Sequence, residues 1–183
     1  PADLLAAAKE ADPLARVHAQ RIAADIFYQD SRPHIGSDPA TDIHHIAAAH
    51  QISSEGLKDR DALVQRCAAE AWRSYRVVGS DVVRSLLELR ARVPANDTHL
   101  LYVVRKSIRD QLNTESTFKE ILKTAWSDTE LRALADVVVG VQSPLAGTFL
   151  LRNLGRLDQS RASLSTALQH AARYAPPAEL DRI

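Results

Sequence analysis

Seven successive stretches between Ala15 and Ala171 place apolar residues three and four positions apart, and the chain almost never alternates them in twos. Side chains at that spacing line one face of an α-helix, so each stretch must bury one face and leave the other in water. The stripes begin with Ala15, Ala19, Ile22, Ala23 and Ile26, then Val82, Leu86, Leu89 and Val93. Leu101, Val104, Ile108 and Leu112 follow, then Phe118, Ile121, Leu122 and Ala125. Leu131, Leu134, Ala135 and Val138 come next, then Leu150, Leu151, Leu154 and Leu157, and finally Leu164, Ala167, Leu168 and Ala171. The run "ADVVVGV" would suit a buried strand by composition, but it continues a helical stripe and is read as buried helix.

Punctuation divides the stripes. Asp12-Pro13 and Ser143-Pro144 each set a capping side chain before a proline at the first helical position, where its missing N–H costs nothing. Asp61, Asp97 and Asp128 occupy equivalent starts, Pro94 and Pro176-Pro177 stop helices, and Gly79, Gly140 and Gly155 lie near ends or kinks. Only "YQDSRPHIGSDPAT", from Tyr28 to Thr41, reads as a long loop.

The caps also set a register. Offsets 4, 7 and 11 from Asp12 give Arg16, Ala19 and Ala23; from Asp61, Gln65, Ala68 and Trp72; from Asp97, Leu101, Val104 and Ile108. From Asp128 they give Arg132, Ala135 and Val139, and from Ser143 they give Gly147, Leu150 and Leu154. The caps are separated by 49, 36, 31 and 15 residues, the first stretched by the long loop and the last marking two successive helices. The middle spacings suit a helix–turn–helix repeat of roughly 30–45 residues. The offset-7 alanines are expected where helices approach closely, with Arg16 and Gln65 at the edge of the stack, reaching toward a neighbouring turn or cap.

"DPLARVHAQRIA" carries a D-x-x-x-R-x-x-A opening, and "DALVQRCAAEA" departs from it only at Gln65. In this the chain resembles the HEAT/armadillo-type α-helical repeats. The resemblance implies an all-α right-handed α-α superhelix of roughly eight to ten helices, forming a single repeat domain over residues 1–183. "VPANDTHLLYVVRKSIRDQL" and "LADVVVGVQSPLAGTFLLRNL" are similar to the helical-repeat segment of large multidomain bacterial envelope proteins. There such segments lie beside sugar-dehydrogenase-like propellers or c-type cytochrome domains. That likeness alone suggests a periplasmic or secreted setting. The chain has no C-x-x-C-H for covalent haem, and its start at Pro1 reads as that of a processed chain or a segment of a longer one.

Composition narrows the function. Equal numbers of basic and acidic residues, 23 of each, argue against a dedicated nucleic-acid surface. Hydrophobic residues are 45% but aromatics only 5%, a composition suited to closely packed helices. No apolar run approaches the roughly 20 residues of a membrane span.

The candidate chemistry is sparse. In "DIHHIAAAH", Asp42, His44, His45 and His50 invite a zinc reading, yet the histidines are five and six apart rather than four and read as solvated side chains near a helix start. Cys67, the one cysteine, lies more than a turn inside its helix among alanines, away from any activating terminus. Trp72 is expected in the core, with Tyr75 and Trp126 as candidate interface anchors. No catalytic, cofactor or metal residues are assigned. Of the cationic residues Arg84, Arg90, Arg92, Arg105, Lys106 and Arg109, the docking patch is placed at Arg84, Arg105, Lys106 and Arg109. The expected function is a non-catalytic interaction or scaffolding module for a protein partner or a neighbouring domain of the same polypeptide. The alternatives are a HEAT-like enzyme acting on nucleic acid, of the DNA glycosylase type, and a structural spacer between catalytic domains.

Overall fold

The computed structural model describes residues 1–30, 39–75, 79–158 and 160–180, with the backbone alone for 39–42. The described residues form eleven α-helices and one 3₁₀ turn, with no strand among them. In chain order these are α1 (Ala2–Ala7), α2 (Pro13–Asp30), α3 (Pro39–Gly56), α4 (Ala62–Ser74), α5 (Ser80–Arg92) and α6 (Thr98–Leu112). Then come α7 (Glu115–Ile121), α8 (Asp128–Val138), α9 (Pro144–Asn153), the 3₁₀ turn (Leu154–Arg156), α10 (Arg161–Tyr174) and α11 (Pro177–Leu180). The number exceeds the eight to ten expected because α1 and α11, of six and four residues, are too short to show a stripe. The expected long loop is largely helix at its ends: Tyr28 to Asp30 belong to α2 and Pro39 to Thr41 to α3. Residues 31–38 of it lie outside the described residues.

The helices gather into two compact units, Pro1–Val77 with Asp81–Ser107, and Val78–Ser80 with Ile108–Ile183. In the first, α2 packs on both α3 and α4, α3 packs on α4, and α1 lies on α2 and α3. Two partners bury more of α2 than one stripe. Arg16, Val17, Ala19, Gln20, Ala23 and Phe27 are buried, while Ile22, expected inside, stands 47% exposed. The three helices meet at Gly56. A Cβ there would fall 2.6 Å from Cδ of Gln20 and 2.8 Å from the Ala68 methyl, so a side chain has no room. Gln20 uses that close approach, its amide donating to the Ile52 carbonyl at 2.9 Å. In the second unit α9 is central, in contact with α7, α8, α10, α11 and the 3₁₀ turn. Gly147 of α9 lies against the backbone of Ala175.

The caps hold the register. Asp12 accepts from Leu14 N–H at 2.9 Å, Asp61 from Leu63 and Val64, Asp97 from Leu100, and Ser143 from Ala146. Asp128 is not a cap. Ser127 caps α8 in a capping box with Glu130, and Asp128 is the first helical residue. The correction shifts the columns by one, because offsets 4, 7 and 11 from Ser127 are Leu131, Leu134 and Val138, all buried. Ser160 caps α10 by accepting from Ser163 N–H, with Leu164, Ala167 and Ala171 at those offsets. Counted from the true cap, offset 7 is buried in six helices: Ala19, Ala68, Val104, Leu134, Leu150 and Ala167.

Arg16 is not at an edge. It is 7% exposed, and its Nε and Nη2 donate to the two Asp59 oxygens at 2.8 and 3.2 Å. Nη1 donates to the carbonyls of Glu10 and Ala11 at 2.8 and 2.9 Å. The Asp59 carboxylate also accepts from Asp61 N–H, and its carbonyl accepts from the Gln65 amide. The turn before α4 is thus held from α2 by Arg16 and from α4 by Gln65, which reaches its own preceding turn rather than a neighbouring unit's. Arg92 holds it from α5 by donating to the Leu57 carbonyl at 3.2 Å. Burial alone would raise the Asp59 carboxyl, but the Arg16 hydrogen bonds, the Asp61 N–H and the guanidinium charge outweigh it and hold it below the usual carboxylate range.

Two predictions follow from this packing. Ala19→Leu, Ala68→Leu and Gly147→Ala should each destabilise the chain by roughly 1–3 kcal/mol through overpacking. Urea unfolding checks this, and parent-like midpoints would place those residues outside the contacts. Asp59→Asn removes the counter-charge of a buried guanidinium and should cost about 1.5–3 kcal/mol near neutral pH. A carboxyl depressed in the folded chain stabilises it above the unfolded value and loses that effect as pH falls through the folded one. The gap between parent and Asp59→Asn should therefore hold at neutral pH and shrink only as pH falls below the ordinary aspartate value of about 4. A gap that stays constant in urea titrations across that fall would refute the ion pair's role.

Candidate functional site

Helix α6 buries Leu100, Val103, Val104, Ser107, Ile108, Gln111 and Leu112. At 100° per residue, the opposite side must present Thr98, Tyr102, Arg105, Arg109 and Asn113, and all five are exposed. Tyr102 is 62% exposed. It lies between the two arginines and Asn113 around the helix, with Lys106 half-buried at the margin. His99, one residue into the helix, meets Arg66 of α4. The helix carries one acid, Asp110, whose carboxylate is 3.5 Å from Arg109.

Three of the four expected docking residues, Arg105, Lys106 and Arg109, thus share α6, whereas Arg84 is half-buried on α5. Arg84 and Arg105 each interact with a neighbour in the folded chain. Arg92 serves the Leu57 turn. The sequence reading missed Tyr102, although the register carries the signal: it falls outside the Leu101, Val104, Ile108 and Leu112 stripe on the face that must be solvated.

A second feature had no counterpart in the sequence reading. In the second unit a cleft of about 870 Å³ opens between α8 and α10 over α9. Leu150 forms its floor, Ala135, Val139 and Ala162 its walls, and Arg132 and Asp158 stand at the rim. The Asp158 carboxyl is held below its ordinary value by the Ser160 N–H and the hydroxyls of Ser163 and Ser160, with a smaller contribution from the Arg132 charge. The facing sides of α8 and α10 carry small residues, and small residues leave space wherever backbones are held apart by a third helix.

The histidines lie inside α3 rather than at its start. His44 is exposed and His45 half-buried, and the side chain of Asp42 lies outside the described residues. His50 is exposed but packs edge-on against Trp72 and Tyr75, with ring centroids 4.8 and 5.7 Å apart. It closes an aromatic cluster in which Phe27 stacks on Trp72 at 5.4 Å. Among the described residues no three His, Cys, Asp or Glu side chains converge in a way that could hold a metal ion. Trp72 is buried as expected. Trp126 is buried too, its indole N–H donating to the Ile121 carbonyl at 2.9 Å, so it anchors the α7–α8 turn rather than an interface. Tyr75 is half-buried, and burial raises its phenol. Among the described residues no helix is long and apolar enough to cross a membrane.

Comparison of the chain with protein-family models, with curated proteins and with solved structures gives no match.

Cys67 is buried with Val17 and Val64, and burial, with Glu70 adding to it, raises its thiol above the ordinary value. A thiolate-selective reagent should therefore label native chain far more slowly than chain in denaturing urea. Equal labelling rates in the two conditions would show an accessible thiol.

Proposed function

We propose that the chain is a non-catalytic interaction module, a HEAT/armadillo-like right-handed stack of helices that offers the solvent face of α6 to a protein partner or to a neighbouring domain. The common burial of offset 7 in six helices supports the repeat reading. A repeat unit cannot bury its apolar face alone, so stacking fixes one face of each helix and frees the other for contacts.

The observation that carries the function is Tyr102, 62% exposed on a face that also bears Arg105 and Arg109. Tyrosine and arginine are the residue types that dominate protein–protein binding energy. The ring supplies a large rigid contact, and the guanidinium supplies directional donors. A helix that needs only solubility gains nothing from a tyrosine there.

The test is selection of binders from a displayed peptide library against the full chain. Selected peptides should lose about tenfold or more in affinity for Tyr102→Ala, as a truncated hot-spot residue does. Circular dichroism of the variant should match the parent. Recovery of no peptide above an unrelated helical protein, or of peptides indifferent to Tyr102, would leave the spacer reading in its place. Selective binding of duplex DNA with base release would favour the glycosylase-type reading.

A further inference from the structure

We propose that the cleft over α9 binds a single-chain zwitterionic amphiphile, its head carrying an anionic oxygen and a quaternary ammonium and its alkyl chain lying along the cleft. The site is wholly within the second unit, so the proposal goes beyond the α6 reading and does not depend on it.

The cleft has a polar end and an apolar end. Arg132, Ala135, Asp136 and Val139 face it at i, i+3, i+4 and i+7, so α8 walls it over two turns, about 10 Å. The Arg132 charge reaches Asp158, just before α10, and past the far end of α8 the Val141 carbonyl accepts from His170 Nε2 at 2.9 Å. The starts of α8 and α10 therefore share one end of the cleft, and their last turns share the other. Arg132, Asp158 and Ser163 make the first end polar, and Val139 and Ala167 make the second apolar, with Leu150 as floor between them. Thr166, beside Ala167, has its hydroxyl bonded to the Ala162 carbonyl at 3.0 Å. A volume of about 870 Å³ is that of a small-molecule site.

The charges of the polar end select the head. Arg132 is exposed and makes no hydrogen bond or ion pair among the described residues, so its fork is open to an anionic oxygen. Asp158 is different, because its oxygens already accept from Ser160 N–H at 3.0 Å and from the Ser160 and Ser163 hydroxyls at 3.1 and 3.0 Å. Such a carboxylate still attracts positive charge but has little use for another donor, and a quaternary ammonium brings charge with no N–H. Asp136, one turn along from Arg132, is engaged by a neighbour in the folded chain and adds a second negative charge. A purely anionic head would meet two carboxylates, and a purely cationic one would meet the guanidinium. A dipolar head suits both signs.

The experiment titrates the full chain calorimetrically with decyl phosphocholine below its micelle concentration. Octyl and dodecyl phosphocholine, decyl glucoside, decyl sulfate, decyltrimethylammonium and phosphatidylcholine vesicles serve for comparison. Decyl phosphocholine should bind more tightly than the other decyl amphiphiles, and each two-carbon lengthening should tighten binding about tenfold until the cleft is full. Ala162→Leu, a larger side chain on the exposed wall, should weaken it by about the same factor. Arg132→Gln should weaken decyl phosphocholine about tenfold and tighten decyltrimethylammonium, a pair of changes that misfolding cannot produce. Equal binding of the glucoside, the sulfate or the ammonium amphiphile by the parent overturns the proposal, and so does a flat chain-length series or no binding at all. Binding of vesicles without the free amphiphile would give the surface to a membrane. Self-association that Ala162→Leu abolishes, with no amphiphile bound, would give the cleft to a second copy. Display-selected peptides that depend on Ala162 instead of Tyr102, again with no amphiphile bound, would give it to a partner protein. Each of these three also overturns the proposal, and none of them bears on the α6 reading unless Tyr102-dependent peptides are missing too.

Discussion

The first unit depends on one buried guanidinium. Arg16 sits on the second turn of α2 and directs four hydrogen bonds into two chain turns, two to the Asp59 carboxylate and two to the Glu10 and Ala11 carbonyls. A buried charge is tolerable only when paired and fully hydrogen-bonded, and here its nitrogens reach acceptors before α2 and after α3. Lysine could not repeat this, because one ammonium cannot span a carboxylate fork and two carbonyls held apart. Asp59 passes the constraint on, fixing Asp61 N–H with its carboxylate and Gln65 with its carbonyl, and Asp61 in turn caps α4. A single side chain thereby sets where α4 begins relative to α2, and the packing of Ala19 and Ala68 follows from it.

Much of this was legible because capping and helical period are local chemistry. The shared Asp-x-x-x-[Arg or Gln]-x-x-Ala spelling marks a buried alanine and a long polar side chain aimed at a turn, and both Arg16 and Gln65 end on Asp59. What failed did so for nameable reasons. Ser127 and Asp128 are adjacent, and serine and aspartate are both common capping residues. The deciding residue is Glu130, three after Ser127, which completes a capping box only from the serine. Ile22 was placed inside by period alone, but α2 has two neighbours, and their combined contact rotates the buried sector toward Arg16 and Gln20.

The cleft beside α9 lay beyond local reasoning. Alanines on facing helices signal close approach, and Ala135 and Ala162 carry that signal as well as Ala19 and Ala68 do. Whether such faces touch or stand apart is decided by the elements between them. In the first unit α2, α3 and α4 all pack on one another, whereas α8 and α10 each pack on α9 and leave the space above Leu150 open. His50 is a parallel case, since only the approach of α4 supplies the Trp72 edge that its ring meets.

The zero net charge hides an unequal division of labour. Acids are taken up by architecture. Asp12, Asp61 and Asp97 cap helices, Asp59 holds Arg16, and Asp158 gathers the start of α10. Asp128 accepts from Arg156 and Glu179 from Arg152. Caps draw on acids because the first helical N–H groups are donors and the helix dipole is positive there. No such demand draws a cation to the middle of a helix. Within α6 the sequence places two arginines and a lysine after the first two turns, with a tyrosine at the centre of the same solvent face. Helix stability alone does not call for that arrangement.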